Sequence, residues 1–444
     1  MSNVSRSAMP ALALTLVVGA TMAPRMVHAQ DSDGWFSQPT MTGDWGGLRT
    51  KLKDEGVTPF VAVLNEYARL VDGGKRKGGG VAQQYYAGVD LDMDKLVGWQ
   101  GGYIHFKLDD RSGPGTSQRN IGNELEVQSN YGSGQNFRLS ELSIEQRFAE
   151  GKYVLRVGFL PAGNDFDNMV TPLCDFQNFA FCGHANPLFL NSGSSVYPDG
   201  HWGGDLRDWV HPNLYVEGGV YAVNYDYLTA NHGFDMDLGN SDGAIGQFEV
   251  GWQPKFGPDK LAGDYKFGAY YETSTWPDVA RPKQNRYGRY GGYIMANQTL
   301  VSFEPGTKRG LIGFMEGVVG DTRTSPAPQF YNFGVILQGP WKRRPTDYID
   351  FGVGHAHVND RARSAAEDTA LNTLVANNRL DQLDQTLEAY GQYGETDYEL
   401  GYGLRLAPWL LINPNVQYVV QPGAFTHKKL PNAWVFGTQL VVNF

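Results

Sequence analysis

The chain has 444 residues, a formal net charge of −10 and two cysteines. That length allows two or three ordinary soluble domains or one large barrel, and the acidic balance argues against nucleic acid as a partner. Aromatics make up 13% of the residues, with 56 glycines and 24 tyrosines; a mean hydropathy of −0.38 does not exclude a membrane barrel, whose lipid face is hidden in alternation.

The chain opens with Arg6, the apolar run AMPALALTLVVGATMA and the small-residue stretch VHAQ. This is the pattern of a secretory signal peptide, residues 1–29, with cleavage after Ala29 or Gln30. The run is shorter than the roughly 20 apolar residues a membrane helix needs. Losing Arg6 and Arg25 takes the charge from −10 to −12. Residues 30–56 read as an N-terminal periplasmic segment in which Asp44 caps a short helix with Trp45, Leu48 and Leu52 on one face.

From Val57 the period becomes alternating and stays so to Phe444. Eight strands are predicted at 57–71, 82–95, 101–110, 136–149, 152–160, 200–210, 213–228 and 243–254. Eight more follow at 263–275, 289–301, 311–321, 330–339, 347–358, 396–406, 409–421 and 433–444. The even-numbered gaps are short: VGWQG, AEGK, HPN, PKFGPDKLAG, EPGTKRG, GPWKRRP and LAPWL. The odd gaps are mostly longer. Short turns at one end and long loops at the other are the arrangement of an outer-membrane barrel, and a soluble sandwich has no reason to sort its loops this way. No later segment is long enough for a membrane helix, so a membrane protein with this sequence must be a closed barrel.

The strand faces agree. Tyr398, Leu400, Tyr402, Leu404 and Leu406 share one face, while Glu399, Gly401, Gly403 and Arg405 share the other. Tyr153, Leu155, Val157 and Phe159 oppose Arg156 and Gly158; Leu142, Ile144 and Phe148 oppose Glu141, Ser143, Glu145 and Arg147. At the end, Trp434, Phe436, Leu440 and Val442 face lipid, with Gln439 and Asn443 toward the lumen or its periplasmic mouth. The expected fold is all-β: a 16-stranded antiparallel transmembrane β-barrel over 57–444 with a short N-terminal helix. Sixteen strands leave a water-filled lumen.

Two loops stand apart. Residues 161–199 hold Cys174 and Cys182, which in an oxidising envelope are expected to form one disulfide. Residues 359–395 read as a polar, partly helical excursion over the mouth.

Several blocks together resemble the carbohydrate-selective porins of the OprB family. They are GDWGGLRTKLKDEGV, RVGFLPAGNDFDN (with Arg156, Gly158, Asp165 and Phe166), YPDGHWGGDLR, and the C-terminal stretch from Glu395 to Phe444. In that last block Glu395, Glu399, Trp409, Pro414, Gln417, Tyr418, Pro422, Gly423, Asn432, Ala433 and Gly437 stand where the family keeps such residues. The resemblance implies a long inward-folding third loop and passive uptake of sugars, glucose-like monosaccharides first, across the outer membrane of a Gram-negative bacterium. Phe444 resembles the end signal read by the barrel-assembly machinery. The implied surroundings are outer-membrane lipid and lipopolysaccharide, as a monomer or a homotrimer.

A sugar is neutral and covered with hydroxyls, so its site needs paired donors and acceptors with an aromatic surface for the apolar ring face. The predicted substrate-binding residues are Glu141, Glu145, Arg147, Arg156, Arg207, Glu217, Glu399 and Arg405, with Trp202 as the aromatic. Arg156 ranks first because it directly precedes the third loop. Solvation of a wet lumen would also explain these charges, and an interfacial girdle would explain Trp202. His355 and His357 share a face but lack a third metal ligand, and no cofactor motif or nucleophile–base pair is evident. The alternatives are a general or anion-preferring pore, an outer-membrane barrel enzyme, and a secreted all-β sugar-binding protein.

Overall fold

The computed structural model describes residues 32–169 and 176–444. The signal peptide and Cys174, and with it the expected Cys174–Cys182 bond, lie outside the described residues. Strands β1 (Val57–Asp72), β2 (Gly78–Asp92), β3 (Gly102–Ser112), β4 (Phe137–Phe148), β5 (Tyr153–Leu160) and β6 (His201–His211) pair antiparallel in chain order. The sheet continues through β7 (Leu214–Val223) and β8 (Gly243–Trp252); β9 (Lys255–Phe256) is a two-residue extension that pairs with β10 (Leu261–Asp278). It then runs through β11 (Arg281–Ser302), β12 (Gly310–Gly320), β13 (Gln329–Gln338), β14 (Tyr348–His357), β15 (Gly394–Ala407), β16 (Leu410–Val420) and β17 (Ala433–Asn443). β17 returns to β1, with Val63 opposite Val442 and Glu66 opposite Gln439. The Phe444 N–H donates to the Val61 carbonyl at 2.9 Å. Apart from β9, sixteen strands close a cylinder.

Burial is inverted relative to a soluble domain. Tyr85, Phe106, Ile144, Leu206, Phe248, Phe333, Leu400 and Phe436 are exposed on the outer wall, while Glu66, Glu141, Glu249, Glu316 and Glu399 are buried inside. A continuous exposed apolar band of this kind is a lipid surface, not the face of a secreted soluble protein.

The abundance of glycine and tyrosine has a specific cause. On the lumen face, Tyr215 stands opposite Gly251, Tyr221 opposite Gly203, Tyr293 opposite Gly268 and Tyr348 opposite Gly403. In each pair the ring occupies the space a Cβ on the glycine would need. The rings therefore lie along the wall over the neighbouring strand, the aromatic covering of a bare strand position.

Two expected boundaries move furthest. The hairpin β10–β11 carries on through 276–288, which had been expected as loop; its Arg- and Lys-rich tip has no apolar alternation because it stands beyond the lipid. The strand expected over 213–228 stops at Val223, where Asn224 caps a short 3₁₀ turn, Tyr225–Leu228, by accepting from Asp226 N. The excursion after β14 carries helices Asp360–Ala376 and Leu383–Tyr390, and Arg361 ties it to Asp278 on β10 at 3.1 Å.

At the short-turn end of the barrel, the segment before β1 is fastened to the end of the last strand. Asp44 accepts from the Thr50 N–H at 2.9 Å, holding the start of the helix Leu48–Asp54, although Trp45 and Leu48 are exposed. Arg49 donates to the Phe444 carbonyl at 2.8 Å, and Trp35 packs on Trp409 with ring centroids 4.5 Å apart.

Candidate functional site

Two external loops, not one, fold into the lumen. They are residues 113–136, between β3 and β4, and the described parts of 161–200, between β5 and β6. Backbone N–H groups taken into a barrel must find acceptors, and the wall supplies carboxylates. Glu395 accepts from Glu124 N and Leu125 N, both at 2.8 Å. Glu399 accepts from Gln177 N at 2.8 Å and Asn178 N at 2.7 Å. Glu66 accepts from Asn130 N at 3.0 Å, Glu249 from Asp167 N at 2.8 Å, and Glu272 from Gly193 N at 2.7 Å. The loops also hold each other, Ser129 N to Gln177 O at 2.9 Å and Phe179 N to Glu126 O at 2.8 Å.

Beside the third loop, β4, β5, β6 and β7 carry a cluster of charged residues on the lumen face. A cavity of about 330 Å³ is lined there by Glu145, Arg147, Arg156, Asp165, Asp205, Arg207, Trp209 and Glu217. Arg156 bridges Glu145 on the wall and Asp165 on the loop, at 2.8 and 3.0 Å. Arg207 reaches Glu217 at 2.8 Å and the Asp165 carbonyl at 3.2 Å, and its guanidinium lies 4.8 Å from the Tyr215 ring centroid. Arg147 donates to Glu145 at 2.6 Å, and Tyr221 donates to Asp205 at 2.6 Å. Carboxylates hold the guanidinium planes by charge-assisted bonds, which fixes the forks without filling every donor. Oxygens of Asp165, Asp205 and Glu217 lie within 4.8 Å of one another, but Arg156 pairs with Asp165 and Arg207 with Glu217 as countercharge.

Five predicted residues, Glu145, Arg147, Arg156, Arg207 and Glu217, meet in this cavity. Glu141 sits just outward of it, bound to Lys107 at 2.7 Å and Asn164 at 3.3 Å. Three others fall elsewhere. Glu399 is fully buried as a loop anchor. Arg405 lines a separate cavity at the short-turn mouth with Lys255, Arg309 and Tyr348. Trp202 is corrected outright: it shares the outer face with exposed Leu206, opposite Phe159, where Tyr227 and Met236 of the next loop cover it. Its indole N–H donates to the Met236 carbonyl at 2.8 Å. The lumen tryptophan of that strand is Trp209, 5.1 Å from Tyr215 between centroids. Counting by two from Arg207 finds both Trp209 and Asp205. His355 and His357 bond Thr396 and Asp360, at 2.8 and 3.1 Å.

A closed sixteen-stranded barrel, lipid-faced outside and with two loops folded into its lumen, has the architecture of a porin of the bacterial outer membrane. The profile of the carbohydrate-selective porin, OprB family, matches residues 76–444. The chain is 32% identical to Porin B of Pseudomonas aeruginosa over 423 residues, 91% of each protein. It is 29% identical to the putative porin QuiX of Acinetobacter baylyi, across 97% of this chain and 99% of that one. The high-pH structure of Pseudomonas putida OprB superposes with a TM-score of 0.83 at 29% identity, over 92% of this chain and 99% of that one. The protein belongs to the OprB family of carbohydrate-selective porins of the Gram-negative outer membrane.

Proposed function

We propose that the channel passes glucose-like monosaccharides and that the cavity at Arg156 and Arg207 is where they are recognised. The observation that carries this reading is the interleaving of guanidinium forks and carboxylates around a small cavity with an indole on its wall. Donor forks match neighbouring hydroxyls, carboxylates accept from others, and Trp209 offers a surface for ring C–H groups. The lining holds three arginines against four carboxylates, so formal charge nearly cancels. That favours a neutral polyhydroxy solute over the anion of a general or anion-preferring pore. Affinity must stay low for release, and a millimolar site needs only about −4 kcal/mol.

Planar-bilayer conductance with glucose titration tests this. Millimolar glucose should block current in the wild-type channel, and Arg156→Ala should raise the block constant about tenfold, the loss of one charged hydrogen-bonding group. Current that ignores glucose, or an unchanged constant in Arg156→Ala, would overturn it.

A further inference from the structure

The cavity that Arg405 lines at the short-turn mouth has a volume of about 850 Å³, and its charge is the opposite of balanced. Strand parity turns its cations into the lumen. Lys255 is opposite Ala262, which shares a face with the buried lumen residues Asp264 and Lys266. The next residue, Phe256, points the other way and packs edge-on against Trp252 and Tyr265. Arg405 has the parity of Glu399 on β15. The turns that carry Lys260 and Lys308 are braced: the Gly263 N–H donates to the Pro254 carbonyl at 2.9 Å, and Arg309 donates to Glu304 at 3.1 Å and to the Gly339 carbonyl at 3.0 Å.

Countercharge is what this cavity lacks. Between β4 and β7, Arg156 and Arg207 each hold a carboxylate. At the short-turn mouth Arg309 alone does so, through Glu304; Lys255, Lys260, Lys308 and Arg405 pair with no carboxylate among the described residues. Asp259 is the one acidic residue on the lining, so five cations face one carboxylate. Charges of one sign in a recess with low-dielectric walls focus the field and concentrate ions of the other sign.

We propose that the short-turn mouth holds a binding site for a small phosphate-bearing anion, formed by Lys255, Lys260, Lys308 and Arg405. These cations reach the cavity from three directions: the 255–260 turn, the 303–309 turn and β15. A tetrahedral oxyanion takes donors from all three, whereas a carboxylate is served by one planar fork. The lysines supply point charge and Arg405 supplies the fork. An anion held here stands in the path of any solute crossing the lumen, so the site makes conductance sensitive to phosphate without touching the cavity at Arg156. It goes beyond the sugar reading and does not depend on it.

The test is single-channel block by inorganic pyrophosphate, with acetate as the control anion, in about 0.1 M salt, where screening sets in only beyond roughly 10 Å. Pyrophosphate should block the wild-type channel at concentrations where acetate does not. Arg405→Gln should weaken that block about twofold to fivefold, the range of an exposed charge pair, and the Lys255→Gln/Lys308→Gln double variant should weaken it further. Arg405→Lys keeps the charge and should keep most of the block. Arg156→Ala should leave it unchanged. A wild-type channel indifferent to pyrophosphate, or equally blocked by acetate, would overturn the site. So would a block unchanged in Arg405→Gln and in the double lysine variant, or one lost in Arg405→Lys as in Arg405→Gln, which would assign the effect to packing. Weakening by Arg156→Ala equal to that by Arg405→Gln would place the anion in the other cavity and overturn it too.

Discussion

Glu399 accepts the backbone N–H of Asn178 at 2.7 Å, a bond between positions 221 residues apart in the chain. One carboxylate on the wall thus holds two adjacent N–H groups of the third loop, its other oxygen taking that of Gln177, while Glu249 and Glu272 hold the same loop at Asp167 and Gly193.

Glu399→Ala leaves two buried donors without their acceptor, each costing about 1–3 kcal/mol. We expect a lower thermal midpoint in detergent and a larger, noisier single-channel conductance. Glu399→Gln retains one acceptor and should fall between. A Glu399→Ala channel with wild-type conductance would show that the anchor does not set the bore.

Gly251→Ala puts a methyl where the Tyr215 ring lies. Tyr215 donates to Glu249 at 2.5 Å and carries the Arg207 guanidinium on its face, so the ring cannot move alone. Overpacking of this kind costs about 1–3 kcal/mol, and glucose block should weaken as Arg207 shifts. Gly218→Ala is the control: the nearest atom to its Cβ is 3.9 Å away, and melting and block should both match wild type.

The two tryptophans of β6 should separate in the same assay. Trp209→Ala is expected to weaken glucose block several-fold, about the value of one aromatic contact. Trp202→Ala should leave block unchanged and increase proteolysis of the 224–242 loop, which its indole holds through Met236. The reverse pattern would place the sugar outside the cavity described.

The sixteen strands were legible in sequence because lipid and water impose opposite demands on alternate residues, as along Tyr398 to Leu406. The short turns were legible too, since backbone at that end has little to do but reverse. The roles of lumen carboxylates were not. Glu145, paired with arginine, and Glu399, paired with loop N–H groups, both stand on the lumen face of an alternating strand, and only the fold tells their roles apart. Trp202 was misplaced for a simpler reason: its parity relative to Arg207 already put it on the lipid side.

Asp347, in the turn between β13 and β14, gives a pH dependence. Burial would push its carboxyl up, but hydrogen bonds from Arg344, the Tyr402 hydroxyl and the Arg405 N–H outweigh this and hold it below the ordinary value of 3.8. A folded-state value below the unfolded one stabilises at pH above 3.8, and that stabilisation is lost as pH falls through the depressed value. Asp347→Asn should therefore melt below wild type at pH 7, with the gap closing in acid below pH 3.8. A gap constant across that range would contradict the assignment.

The glycines under the lumen rings carry a consequence for the width of the channel. An aromatic side chain standing upright would reach far into the lumen; lying over a glycine, it thickens the wall by little more than the depth of a ring. The free diameter is thus written partly in residues that have no side chain. A homologue with the same strand number but alanine at Gly203, Gly251, Gly268 or Gly403 would present its rings edge-on to the solute path, and its bore would shrink without a single lumen charge having changed.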